Sequence, residues 1–184
     1  YNNCSSEKVF TIEDESTTPI LVASQTPNTN CPIEIANGIT NATVVNSTSS
    51  YNFEWYDGSE VKNKQDYSGQ FVYGLPSGIY TVMAIDPDLS TCVSELVVIQ
   101  VEDATVNPTV LVNELSPVTN CDPERANGVL TATTQDGIEG HTFEWYLDEE
   151  LIASGPIASD LGLFDYNRIV TKSVTLCKTT MTSG

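Results

Sequence analysis

The chain contains its own near-copy. Phe53-Glu54-Trp55-Tyr56 recurs letter for letter as Phe143-Glu144-Trp145-Tyr146, 90 residues further on. Thr29-Asn30-Cys31 and Ala36-Asn37-Gly38 return at the same spacing as Thr119-Asn120-Cys121 and Ala126-Asn127-Gly128. Several collinear matches at one offset are the signature of a duplicated unit. Beyond the aromatic motif the register slips, and Cys92 answers to Cys177 at a spacing of 85. The opening residues fit the same series: Ile12-Glu13-Asp14 followed by Pro19 mirrors Val101-Glu102-Asp103 followed by Pro108. This predicts three parts. Residues 1–16 are the terminal strand of a preceding repeat, 17–104 are one repeat, and 105–184 are a second, whose last strand after Cys177 is short enough to be truncated.

Each copy must therefore close a core within about 90 residues. Period-2 alternation and turn residues recur, and no window sustains a long apolar stripe at helical spacing. The first copy predicts strands at 20–24, 39–46, 51–56, 70–75, 79–86 and 94–101, with a weak one at 60–64. The second predicts strands at 129–134, 142–146 and 167–174. Asn37-Gly38, Asp57-Gly58, Pro76-Ser77-Gly78 and Asp86-Pro87-Asp88 offer turn chemistry between them. About seven short strands with a Trp on the third point to an all-β fold, tandem immunoglobulin-like sandwiches stacked end to end. Alternation places Phe53 and Trp55 on one face of the third strand, with Glu54 and Tyr56 on the other. Phe53, Trp55, Phe143 and Trp145 are the expected core aromatics. An aromatic platform for sugar at Tyr56 and Tyr146 is the alternative use of this motif.

Charge removes whole classes of partner. With 25 Asp and Glu against 7 Lys and Arg, the formal net charge is −18. Nucleic acid and anionic membranes need clustered cations, so neither is an expected partner. No apolar run approaches the ~20 residues of a membrane-spanning helix. The first residues are polar and show no signal-peptide pattern, so any targeting segment is expected to lie outside this chain.

Taken together, Thr-Asn-Cys, Ala-Asn-Gly, Phe-Glu-Trp-Tyr, the run Leu75-Pro76-Ser77-Gly78-Ile79-Tyr80-Thr81-Val82, and Asp86 with Thr91-Cys92 resemble a known family of repeats. They look like the tandem immunoglobulin-like repeats of giant bacterial cell-surface adhesins, of the gliding-motility type exported by the type IX secretion system. The resemblance spans nearly the whole chain. It implies a secreted, extracellular, filamentous protein at the bacterial cell surface, without specifying a ligand. The second copy departs from the pattern at Gly162-Leu163-Phe164-Asp165-Tyr166, where the first has Leu75 to Tyr80.

Five cysteines in a secreted sandwich favour disulfides over metal. One arithmetic pairs them within each copy, Cys31 with Cys92 and Cys121 with Cys177, leaving Cys4 single. The strand order favours another. Cys31 falls between the first two strands and Cys92 between the last two, at opposite ends of a sandwich. A strand of eight residues spans ~27 Å, whereas bridged Cα atoms lie within ~7 Å. In stacked copies Cys31 faces Cys177 across the junction, and Cys4, Cys92 and Cys121 look to repeats beyond the chain.

Acidic residues recur where one copy hands over to the next. Glu13, Asp14, Glu102 and Asp103 are candidate calcium ligands there by donor type alone; no other cofactor is expected. Catalysis is not expected either: the single His, His141, stands at a strand entrance, and no nucleophile elbow or phosphate cradle is present. The expected role is a non-catalytic rod or stalk whose partners are neighbouring repeats of the same chain or filament. Two alternatives remain. One is a carbohydrate- or ligand-binding sandwich with a surface or glycan partner, for which Tyr67, Tyr73 and Tyr166 are the exposed candidates. The other is a donor-strand, pilin-like subunit that polymerises through residues 1–16.

Overall fold

The computed structural model describes residues 6–13, 18–48, 50–88, 92–164 and 166–182. The alternating stretches of the first copy become β1 (Leu21–Thr26), β2 (Gly38–Val44), β3 (Asn52–Asp57), β4 (Tyr67–Ser68), β5 (Phe71–Leu75), β6 (Gly78–Ile85) and β7 (Val97–Val101). They make a three-stranded sheet ordered β1-β2-β5 and a four-stranded sheet ordered β4-β3-β6-β7. The second copy supplies β8 (Val110–Ser116), β9 (Gly128–Thr134), β10 (His141–Leu147), β11 (Glu150–Ser154), β12 (Ile157–Leu161), β13 (Asn167–Lys172) and β14 (Lys178–Thr182). Its sheets, β8-β9-β12 and β11-β10-β13-β14, repeat the same order. Every strand pairing is antiparallel. The chain is all β, two sandwiches in tandem.

Alternation fills each core from both sheets. Leu21, Ala42, Val72 and Leu75 from one sheet meet Phe53, Trp55, Val82 and Val101 from the other. Phe143, Trp145 and Val170 play the same part with Val110, Ala132 and Leu161. Trp55 and Trp145 are both fully buried, so each indole N–H needs a partner. Trp55 Nε1 donates to the Gly69 carbonyl at 2.9 Å and Trp145 Nε1 to the Gly155 carbonyl at 3.0 Å. Gly69 and Gly155 have φ of 102° and 103°, a backbone that side chains resist. The two cores are anchored by one device used twice.

A second shared device fixes the bend before β6 and β13. The Tyr80 hydroxyl donates to the Pro76 carbonyl at 3.0 Å, and the Tyr166 hydroxyl to the Gly162 carbonyl at 3.1 Å. The second copy thus keeps the tyrosine corner of such sandwiches although the letters around it have changed. Gly38 and Gly128 open β2 and β9 rather than serving as turn residues. A Cβ on Gly128 would lie 2.7 Å from the Leu161 carbonyl oxygen, and one on Gly38 would collide with that of Leu75. Close backbone approach, not a turn, explains the repeated Asn-Gly.

Several sequence expectations need correction. No strand forms at 60–64. That polar loop is closed by Lys62 and Asp66, whose charges sit 2.6 Å apart, and the edge strand comes later, at β4. The second copy does build a full edge strand, β11, through a tight turn at Asp148 and Glu149, both at positive φ. Tyr56 is buried despite facing away from the core, its hydroxyl reaching the Glu54 carboxylate and the Met83 sulfur. The segment after Cys177 forms β14, five residues paired with β13 along their whole length and equal to β7. Residues 6–13 are exposed and take no strand; residues 1–5 and 14–16 lie outside the described residues.

Candidate functional site

The junction between the sandwiches is assembled from the repeated motifs. Leaving β7, the chain runs beside the loop that joins β1 to β2. The Asn28 N–H donates to the Glu102 carbonyl at 2.9 Å, and the Ala104 N–H to the Asn28 carbonyl at 2.8 Å, a short parallel bridge. Asn28 is itself buried, its Oδ1 accepting from the Asn37 N–H at 2.9 Å. Asn37 clamps the other side of the loop: its Oδ1 accepts from the Thr29 N–H at 2.8 Å, and its Nδ2 donates to Thr29 Oγ1 at 2.9 Å. A single 3-10 turn, Ile33–Ile35, completes the loop. Side-chain amides here replace the ladder hydrogen bonds that a loop lacks.

Cys31 projects from this clamped loop into the turn between β13 and β14. It is disulfide-bonded to Cys177, with Cα atoms 5.0 Å apart and a sequence separation of 146. The Cys31 N–H also donates to the Thr175 carbonyl at 3.1 Å. On the far side of the linker, Thr179 Oγ1 donates to the Pro108 carbonyl at 2.6 Å. The pairing is the one across the junction; Cys31–Cys92 and Cys121–Cys177 do not form. The two ends of a sandwich are too far apart for a bridge, whereas neighbouring ends meet.

The same parts recur at the outer ends. Asn127 Oδ1 accepts from the Thr119 N–H at 2.9 Å, and its Nδ2 donates to Thr119 Oγ1 at 2.8 Å, the clamp of the first loop repeated. Cys121 stands in that loop, exposed and free. Cys92 stands where Cys177 does: its carbonyl accepts from the Asp86 N–H at 3.1 Å, as that of Cys177 accepts from the Lys172 N–H at 2.9 Å. Cys92 is free and partly exposed. Cys4 lies outside the described residues. The Thr–Asn clamps were not singled out from sequence, although the signal was there: the two motifs that recur with the cysteine are the two halves of the clamp.

The remaining predicted residues fall elsewhere. Glu102 and Asp103 are in the linker, Glu13 is on an exposed stretch, and Asp14 is outside the described residues. Asp103 accepts from the Thr105 N–H at 2.9 Å, which holds its carboxyl below the usual range. Among the described residues, no three His, Cys, Asp or Glu side chains gather as a metal-holding group. No helix among them is long and apolar enough to cross a membrane. The sugar candidates divide. Tyr56 and Tyr166 are buried, Tyr67 is half-buried against Tyr80, and Tyr73 is 67% exposed. Tyr73 stacks on the exposed Phe71 with ring centres 6.0 Å apart and planes at 18°. His141 begins β10 with its Nδ1 3.0 Å from the Glu139 carbonyl.

No family model matches the chain, and no curated protein matches it. Among solved structures, the three N-terminal domains of the bacteriophage RB49 Highly Immunogenic Outer Capsid protein are 13% identical at a TM-score of 0.42. That match covers 90% of this chain, which spans 57% of the capsid-protein structure. The fibronectin(III)-like modules of Clostridium thermocellum CbhA are 15% identical at a TM-score of 0.33, over 89% of this chain and 91% of theirs.

Proposed function

We propose that the chain is a stalk segment of a secreted, filamentous bacterial surface adhesin, of the kind its repeats resemble in gliding-motility proteins exported by type IX secretion. It is non-catalytic and works by holding distance. One observation carries this reading: Cys31 and Cys177 bond two successive repeats across their junction. A covalent tie there removes hinge freedom that a bare linker would keep. It also suits an oxidising, extracellular setting. Small-angle scattering is the test. The oxidised chain should give one narrow distribution of sandwich orientations, and the Cys31→Ser chain a broad one; equal breadth in both would refute a stiffening role. Antibodies against the chain should label surface filaments along their length, and label confined to the cytoplasm or to filament tips would refute the stalk.

The stacked pair Phe71–Tyr73 favours a second reading, glycan binding on the outer face of β5. Aromatic faces of this kind suit the apolar faces of sugar rings, and Asn41 on β2 lines the same shallow cavity with an Oδ1 that has no partner. A glycan array with the Phe71→Ala, Tyr73→Ala chain as control decides it. Binding that survives the double change, or no binding by the parent, ends this reading.

A further inference from the structure

We propose that Cys92 and Cys121 are the two halves of another inter-repeat disulfide, and that the partner is a further sandwich of this build, for which a second copy of this chain serves. The proposal rests on the stalk reading and adds to it how one segment joins the next. Cys31 and Cys177 show what the two positions do when they meet: they bond. Cys121 repeats the first position, in a loop held by Thr119 and Asn127 as Thr29 and Asn37 hold that of Cys31. Cys92 repeats the second, at the same place beyond the sixth strand of its sandwich. One chain thus carries one free end of each type, at opposite extremities. A contact between unlike ends is heterologous, and with the two ends at opposite extremities it extends head to tail.

The receiving end is shaped for a neighbour. In the first sandwich the matching end is occupied by residues 102–104 beside Asn28 and by the turn that carries Cys177. In the second, a cavity of about 650 Å³ opens where Asn28 has its counterpart, Val118. Leu163 and Phe164 line it at 85% and 60% exposure, and Leu115 stands exposed nearby. Leu115, Leu163 and Phe164 thus give this end exposed apolar side chains beside an open cavity, the kind of surface that a contact face carries.

The bond forms by exchange. A thiolate at Cys92 or Cys121 attacks a disulfide oxidant such as oxidised glutathione, giving a mixed disulfide and one reduced thiol. The second cysteine then displaces the second glutathione thiol. Two protons and two electrons leave the protein, and one S–S bond joins the chains.

The test uses the full chain carrying Cys4→Ser, so that Cys92 and Cys121 are its free thiols, oxidised with glutathione disulfide at high protein concentration. Peptides are then mapped without reduction. We expect a ladder of linked chains in which Cys92–Cys121 exceeds either symmetric pair about tenfold, a modest docking preference. Mixed and symmetric pairs in the proportions of random collision would overturn the proposal. So would chains that carry glutathione on both cysteines and no interchain bond. The Cys31–Cys177 peptide in the same map reports that the fold is intact. A failed ladder beside that peptide overturns this staple alone, because the stalk reading falls only on the scattering and labelling results.

Discussion

Arg168 stands directly across the β10–β13 ladder from Trp145, in the place that Val82 takes opposite Trp55. Val82 is fully buried and Arg168 nearly so, with Nε and Nη1 lacking any partner. Burial pulls its pKa down, as expected of a cation without a counter-charge. Replacing it with an apolar chain of similar length, Arg168→Met, should raise the stability of the second sandwich by ~1–3 kcal/mol, the cost of leaving buried donors unmet. Thermal denaturation reads this directly. An unchanged or lower melting temperature would show that Arg168 has a compensating role.

Alkali should weaken the first sandwich. The Tyr80 hydroxyl is pushed up to about 12 by burial, and that of Tyr56 to about 12 by burial followed by its hydrogen bond to Glu54. Unfolded tyrosine titrates near 10. Between these values the folded state holds more protons, so stability is full below pH 10 and falls as pH rises through 12. Urea midpoints taken across that range should decline. The Tyr56→Phe, Tyr80→Phe chain should lose most of the slope.

Gly128→Ala should cost ~1–3 kcal/mol by overpacking. The new Cβ would sit against the Leu161 carbonyl and Val118 Cγ2, the latter at 2.8 Å. A melting temperature equal to that of the parent would mean that β9 and β12 can part without penalty.

Reduction of Cys31–Cys177 should lower stability by ~2–4 kcal/mol, the usual range for a bridge closing a long loop. Calorimetry with and without reductant, on the Cys4→Ser, Cys92→Ser, Cys121→Ser chain, isolates this bond. Superimposable traces would show that the sandwiches melt without regard to it.

Much of this was legible in the sequence, because burial writes its own period. Phe53, Trp55, Phe143 and Trp145 announce the core through alternation and repetition, and Cys31 finds Cys177 once strand order is known. Tyr56 was not legible, since its partners, Glu54 and Met83, meet its hydroxyl only once β3 and β6 have paired. Tyr166 was obscured by changed letters around a hydrogen bond to backbone, which any neighbour can supply. The Thr29–Asn37 and Thr119–Asn127 clamps were visible only as recurrence. An amide that braces a loop follows no period, and its partner is known only once the loop has been closed.

The position of the disulfide also decides what a pull on this molecule can stretch. Residues 32–176 lie inside the covalent ring closed by Cys31 and Cys177, and of the strands among the described residues only β1 and β14 lie outside it. A load entering before Cys31 and leaving after Cys177 passes through the sulfur atoms and bypasses nearly all of both cores. Unbridged, that stretch could unreel to ~500 Å. Bridged, that stretch surrenders nothing and only the two border strands outside it can peel, so the tether yields early, a little, and then stops.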